Sequence, residues 1–408
     1  MSSVPPDDRP DGSSTGGRRR ASARVRRNRL VAGGGILVAA AVLALVLTLV
    51  NRGDERLAAT GSGQAPAGGP IRPDGEPAPS STAAAPAPSS TAAAPAGPPA
   101  GEPVTLAFGG DVHFEGQIRA RLLADPASVL AGVAPILQAA DVAVVNLETA
   151  ITARGTKPPG KEFAFRAPPS GLTALKMGGV DVASMANNHG MDYGREGLED
   201  SLAASAATGL PLIGIGRNAT EAYRPHIAVA KGQRIAIIGA TQVLDDSVRT
   251  AWTATDSQPG LASAKEVDRL TAAVQAARGQ ADTVVVVLHW GIEGQTCPSP
   301  AQSQLAQQLV DAGADVIVGG HAHRLQGAGR LGSAFVAYGL GNFVFYTSAG
   351  PGTETGVLTV TVRGRTIDGY RWTPARLVGQ LPRTLEGAAA REATAAWERL
   401  RGCTGLQP

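Results

Sequence analysis

Five short turns carry the side chains that could do chemistry. They are Gly110-Asp111-Val112-His113, Asn146-Leu147-Glu148, Asn187-Asn188-His189 with Asp192-Tyr193-Gly194 just after it, His289-Trp290-Gly291, and Gly319-Gly320-His321-Ala322-His323. Together they offer Asp111, His113, Glu148, Asn188, His289, His321 and His323 as metal donors. Imidazole nitrogen mixed with carboxylate and amide oxygen suits zinc, manganese or iron rather than calcium. The set is too large for one tetrahedral ion. It is large enough for two ions sharing a carboxylate, an arrangement that clamps the attacking and leaving oxygens of an in-line displacement. The Asp-x-His and His-x-His spacings place two donors on one face of an extended segment, where side chains alternate.

Each turn also has a plainer reading. Asp and His are common after strands, Glu148 could be an ordinary helix-start acid, and His189 could be a core histidine in a turn. Two histidines in a Gly-framed turn, His321 and His323, have little packing rationale. Five such turns in series, each ending an apolar run, are hard to obtain from packing alone. His226 lies outside the set, between Pro225 and an apolar run, and reads as structural.

The elements that must position these turns follow from the apolar runs. Strands are expected at 104–108, 142–145, 182–185, 211–215, 234–239, 283–288, 315–318, 334–338, 342–346 and 356–362. Helices are expected at 126–140, 170–177, 195–208, 262–279, 300–312 and 386–401. Strands alternating with helices give an α/β domain with much parallel sheet. The closely spaced strands after residue 330 read as antiparallel, so the sheets are mixed. Ligands of an open α/β sheet bind at the carboxyl ends of its strands, where all five turns fall.

A different texture precedes this domain, which is placed at 103–408. Residues 30–50 hold no charge over 21 positions, long enough to cross a bilayer core of roughly 30 Å. The apolar stretch of a cleaved signal peptide is shorter, about 7–15 residues. Eight arginines precede the span, whereas Arg52 and Arg56 after it are balanced by Asp54 and Glu55. That asymmetry puts a basic tail, 1–29, in the cytoplasm and the rest outside. Residues 51–102 are Ala, Pro, Ser, Thr and Gly, with PAPSSTAAA at 77–85 and again at 86–94. They cannot bury a core and read as a disordered tether.

The net charge of +3 belongs to the tail: residues 103–408 hold 26 basic and 26 acidic side chains. A neutral domain argues against a nucleic-acid partner. The only two cysteines, Cys297 and Cys403, exclude a multi-cysteine zinc site. Outside the membrane a thiol pair tends to oxidise, so a Cys297–Cys403 disulfide is expected.

The ordered motifs, closed by Leu340-Gly341-Asn342-Phe343, resemble the CapA-like family of poly-γ-glutamate capsule-biosynthesis proteins, within the calcineurin-like metallophosphatase superfamily. The resemblance covers about residues 103–348. It implies a four-layer α/β/β/α sandwich with two divalent metals at the sheet edge. It also implies Asp111, His113 and His323 on one ion, Asn188, His289 and His321 on the other, and Glu148 bridging, where the wider phosphoesterases bridge with Asp. His189 and Asp192 resemble the catalytic His/Asp dyad of 5′-nucleotidases. Arg166 and Arg324 could bind an anionic substrate. Two functions stay open. One is a membrane-anchored, extracytoplasmic metal-dependent phosphoesterase. The other is a non-catalytic accessory in synthesis, attachment or export of an anionic envelope polymer, working with capsule-synthesis membrane proteins.

Overall fold

A computed structural model describes residues 101–408 of the chain. The basic tail, the apolar span 30–50 and the linker up to residue 100 lie outside the described residues. Among the described residues, no helix is long and apolar enough to cross a membrane.

Strands of two large sheets follow one another along the chain. They are β1 (Val104–Val112), β2 (Val142–Leu147), β3 (Val182–Ser184), β4 (Leu212–Ile213), β5 (His226–Ala230), β6 (Gln233–Thr241) and β7 (Thr283–His289). After these come β8 (Val316–Gly320), β9 (Ala328–Leu331), β10 (Ala334–Ala337), β11 (Asn342–Val344), β12 (Glu354–Arg363), β13 (Thr366–Val378) and β14 (Leu381–Thr384). The eight-stranded sheet has the order β14-β13-β12-β1-β2-β3-β4, with β11 also on β1. Its β1 to β4 are parallel and its β12 to β14 antiparallel. The six-stranded sheet runs β9-β10-β8-β7-β6-β5, with β6, β7, β8 and β10 parallel.

The apolar runs are sorted by strand alternation. Leu106, Phe108, Val142 and Val144 share one core with Ile235, Ile237, Val285, Val287, Val316 and Val318, so the two sheets face each other across it. The intervening residues face outward. Ala107, Ala143 and Val145 meet Leu122, Leu137, Leu172 and Leu198, while Ile238, Val284 and Val286 meet Leu270, Val274, Leu305 and Leu309. These last residues lie on helices Gln117–Ala124, Ala134–Ala139, Ser170–Met177, Gly194–Thr208, Val267–Arg278 and Pro300–Ala312. A strand apolar at every position is thus buried on both faces, the pattern of parallel strands covered on each side. The architecture is a mixed α/β one, with helices on the outer face of each sheet.

Several elements differ from expectation. The helix expected over 126–140 is a 3₁₀ turn at Pro126–Ser128 followed by helix Ala134–Ala139. Gly132 passes close to the Pro382 carbonyl there. The strand expected over 211–215 is two short strands, Leu212–Ile213 and Ile215–Gly216. Helix Gln117–Ala124 and strands β5, β9, β13 and β14 had no expectation at all. β13 holds Gly369 and Pro374 and is half exposed, which hides it from a search for apolar runs.

Candidate metal centre

The five turns converge because β1, β2, β3, β7 and β8 all present their carboxyl ends to one edge. Close backbone approach makes this possible. Gly110 lies so near the Gly341 carbonyl that any Cβ would collide with it, and a Cβ on Gly320 would collide with the Asp111 carboxylate. Asp111 is thereby held on both oxygens: Oδ1 accepts from Asn146 Nδ2 at 2.8 Å and Oδ2 from the His321 backbone N–H at 3.0 Å.

Glu148 occupies the middle. Its carboxyl is fully buried, and neither Oε1 nor Oε2 has a hydrogen-bond partner. His289 Nε2 lies 3.7 Å, His189 Nε2 3.8 Å and His323 Nε2 3.9 Å from Oε1. Two groups with donor atoms within 4.8 Å of one another meet at this residue, Glu148 with His321 and His323, and Glu148 with Asp111 and His289. A buried carboxyl with no protein donor must be neutral or face a cation. His321 Nδ1, also buried, has no partner either. This donor set fits divalent ions of the zinc, manganese or iron kind. Asn188 joins through its Oδ1, 2.8 Å from His289 Nε2.

The surrounding contacts orient these groups. His323 donates from Nδ1 to Asn342 Oδ1 at 2.9 Å, which turns its Nε2 toward Glu148. Asn146 Nδ2 also contacts His289 Nδ1 at 3.1 Å, and Asn187 Nδ2 donates to Asn146 Oδ1 at 3.0 Å. Such partners fix ring orientation and ligand basicity. His321 and His323 both sit at positive φ, 89° and 52°, a backbone cost of order 1–3 kcal/mol each that persists only where surroundings impose it.

Electrostatics follow burial. Burial pushes His289 well below its ordinary value, with the neighbouring His321 adding to the shift. Burial and then the His323 charge take His321 down to about 4. Both imidazoles are therefore neutral at pH 7, as metal ligands must be. Burial would lower His323 too, but the Glu148 and Asp111 carboxylates outweigh it and raise it to about 9. Burial lifts Glu148 well above the usual carboxylate range, with His323 pulling the other way and Asp111 adding to the rise.

His189 and Asp192 form a contact of 2.6 Å between Nδ1 and Oδ2. His189 borders a cleft of about 430 Å³, also lined by Lys161, Phe165, Asn188, His323, Phe345 and Tyr346, with Asp192 buried behind it. Two candidates fall elsewhere, and a third, His113, shares its Phe345 neighbour with His323. His113 is in neither donor group: its ring nitrogens face the backbone N–H groups of Glu115 (3.0 Å) and Tyr346 (3.3 Å), and it stacks on Phe165. Arg166 lies over the Tyr193 ring and does not line the cleft. Arg324 lines a separate cavity beside helix Gly387–Arg399. Cys297 and Cys403 are bonded to each other. Asn146, Asn187, Lys161 and Asn342 had no expected role. Asn146, Asn187 and Asn342 stand inside the sequence motifs, and only their contacts with Asp111, Asn146 and His323 reveal what they hold.

Residues 105–347, which contain every turn of this centre, match the family described as bacterial capsule synthesis protein PGA_cap. The chain belongs to this family. It is 35% identical over 219 residues to the capsule biosynthesis protein CapA of Bacillus anthracis, covering 52% of each chain. It is 34% identical over 221 residues to the PGA biosynthesis protein CapA of Bacillus subtilis, covering 53% of this chain and 57% of that one. A probable polyglutamine synthesis accessory protein of Mycobacterium tuberculosis is 31% identical over 212 residues, covering 50% and 56%. The chain spans about half the length of the curated relatives it matches. Among solved structures, a hypothetical protein from Thermus thermophilus aligns over 67% of this chain and 99% of its own, at 16% identity and a TM-score of 0.42. A 5′-nucleotidase from Candida albicans aligns over 73% and 58%, at 13% identity and a TM-score of 0.39. Both likenesses are too loose to carry a functional reading.

Proposed function

We propose that this chain is a membrane-anchored, extracytoplasmic phosphoesterase of the capsule-synthesis family, built on a metallophosphatase-like sandwich and acting in biosynthesis of an anionic envelope polymer. The observation that carries the reading is Glu148: a fully buried carboxyl with both oxygens unpartnered, common to two donor groups. One ion would take Glu148, His321 and His323, and the second Asp111, Glu148 and His289, with Asn188 beside it. Two divalent ions, when bound, supply Lewis-acid polarisation of a phosphoryl group and a clamp on its attacking and leaving oxygens.

The chain's own groups do the rest. Asp111 and Asn146 hold the first sheet's donors in register with His321. Asp192 accepts from His189 Nδ1, leaving Nε2 as the ring nitrogen open to the cleft, where it can interact with a leaving oxygen. Phe165 stacks on His189 at 4.1 Å between centroids and restricts its tilt. The anchor rests on the uncharged stretch 30–50 and the arginine bias before it, and the outside location gains support from the Cys297–Cys403 bond.

The accessory reading draws on the name of the mycobacterial relative, a probable polyglutamine synthesis accessory protein. Arg166 lies over the Tyr193 ring and Arg324 lines a separate cavity, so the cleft lends no support to a grip on a polyanion by these two side chains. Purified full-length chain in detergent separates the readings. Hydrolysis of phosphate mono- or diesters that a chelator abolishes and a divalent ion restores supports the enzyme. Polymer binding with no turnover at any metal concentration defeats it.

A further inference from the structure

Lys161 follows Pro158–Gly160 in the segment that leads to Phe165 and lines the cleft with only a tenth of its side chain exposed. Its ammonium lies 2.5 Å from Asp192 Oδ1. The contact is an ion pair, since Oδ1 has no directed hydrogen bond. The same ammonium donates to the Asn188 backbone carbonyl and lies over the Trp252 ring, 4.7 Å from its centroid. The other carboxylate oxygen, Oδ2, takes the Phe165 backbone N–H at 2.6 Å and His189 Nδ1 at 2.6 Å. Asp192 is completely buried, and Lys161 is the one Lys or Arg paired with it among the described residues.

We infer that Lys161 is a positioning residue: it occupies Oδ1 of Asp192, so that Oδ2 faces His189 and holds that ring as the Nδ1–H tautomer with Nε2 toward the cleft. The division of labour between the two oxygens is the core of the matter. With the ammonium on Oδ1, rotating the carboxylate would strand a cation in a buried site. The plane of the carboxylate is therefore fixed, and the imidazole proton follows it. One segment supplies both constraints, because Lys161 and the Phe165 N–H grip opposite oxygens of the same group. A lysine that merely pinned the loop would not govern which nitrogen of His189 carries the proton.

The inference rests on the proposed function only for its kinetic part, and ring spectra test it without turnover. Full-length chain labelled with ¹⁵N at its six histidines is recorded with chelator present, and His189 is assigned by its loss in His189→Gln. Wild type is expected to show His189 as a single Nδ1–H tautomer. Lys161→Met should lose that single state, by exchange broadening or by transfer of the proton to Nε2, while Lys161→Arg should retain it. If Lys161→Met fails to fold, Lys161→Gln keeps a donor for the Asn188 carbonyl without the charge and is read the same way. Unchanged His189 signals in a folded, uncharged variant would overturn the inference. Where wild type hydrolyses a phosphoester, kcat of Lys161→Met should fall on the order of 100-fold, the low end of what a positioned proton-transfer group contributes, with KM little changed. A raised KM at constant kcat would also overturn it. If wild type turns over nothing, the phosphoesterase reading fails and the spectra still decide the role of Lys161.

Discussion

Glu148 bears the largest consequence of any single residue. Glu148→Gln keeps the shape and removes the charge shared by two donor groups, so metal content should drop by at least one ion per chain by elemental analysis. His226→Ala, in β5 away from the centre, should leave it unchanged. The same substitution at Glu148 has a pH signature in chelated protein. Burial raises Glu148 above its unfolded value, so the metal-free fold keeps its stability below the ordinary carboxylate range and loses it as pH rises through the raised value. An unpaired buried group costs about 1–3 kcal/mol. Chelated Glu148→Gln should accordingly melt a few degrees above chelated wild type at pH 8, and the gap should close toward pH 4. Asn342→Ala frees His323 Nδ1 and should weaken metal binding about 10–100-fold, the usual effect of losing an orienting partner. The five candidate donors that the fold brings together, Asp111, Glu148, His289, His321 and His323, were legible in sequence because His, Asp and Glu in Gly-framed turns announce themselves. Their holders were not, since Asn146, Asn187 and Lys161 act through contacts 35, 41 and 27 residues away along the chain.

Strand ends do the positioning, and glycine decides how closely they approach. At Gly110 a Cβ would meet the Gly341 carbonyl, a backbone atom that cannot swing aside. Gly110→Ala should destabilise the protein by about 1–3 kcal/mol, the cost of overpacking, read as a lower denaturation midpoint. It should also separate β1 from β11 and so part Asp111 from Asn342, its register partner. The parallel strands were visible as unbroken Val, Ile and Leu runs, because both of their faces are buried. β13 was not, although at 13 residues it is the longest strand among the described residues, because alternating exposure, a Gly and a Pro erase the apolar run. Helix Gln117–Ala124 was hidden for a related reason: it buries only Ile118 and Leu122, too few to mark a period.

At the scale of the molecule, the Cys297–Cys403 bond ties the end of helix Gly387–Arg399 to the loop after His289, across 106 residues. Cys403→Ser should cost about 2–5 kcal/mol, the usual loss for a native disulfide, and protease should then trim the C-terminal helix first. Protease added to intact spheroplasts should remove the domain and spare the tail if the proposed topology holds. Whole-chain geometry also governs how the centre comes into being. Asp111 is locked by the backbone of a residue 210 positions later, and His323 is aimed by Asn342. Each donor group draws on both sheets, so neither sheet alone holds a complete one. The Asp111 carboxylate can meet Asn146 after 35 residues, but its second anchor arrives only when those 210 residues have followed it. Closure over so long a loop is slow and late. A chain truncated before Asn342 would keep every donor of both groups yet lack the partner that aims His323, so its ions should be held more weakly than in the full chain.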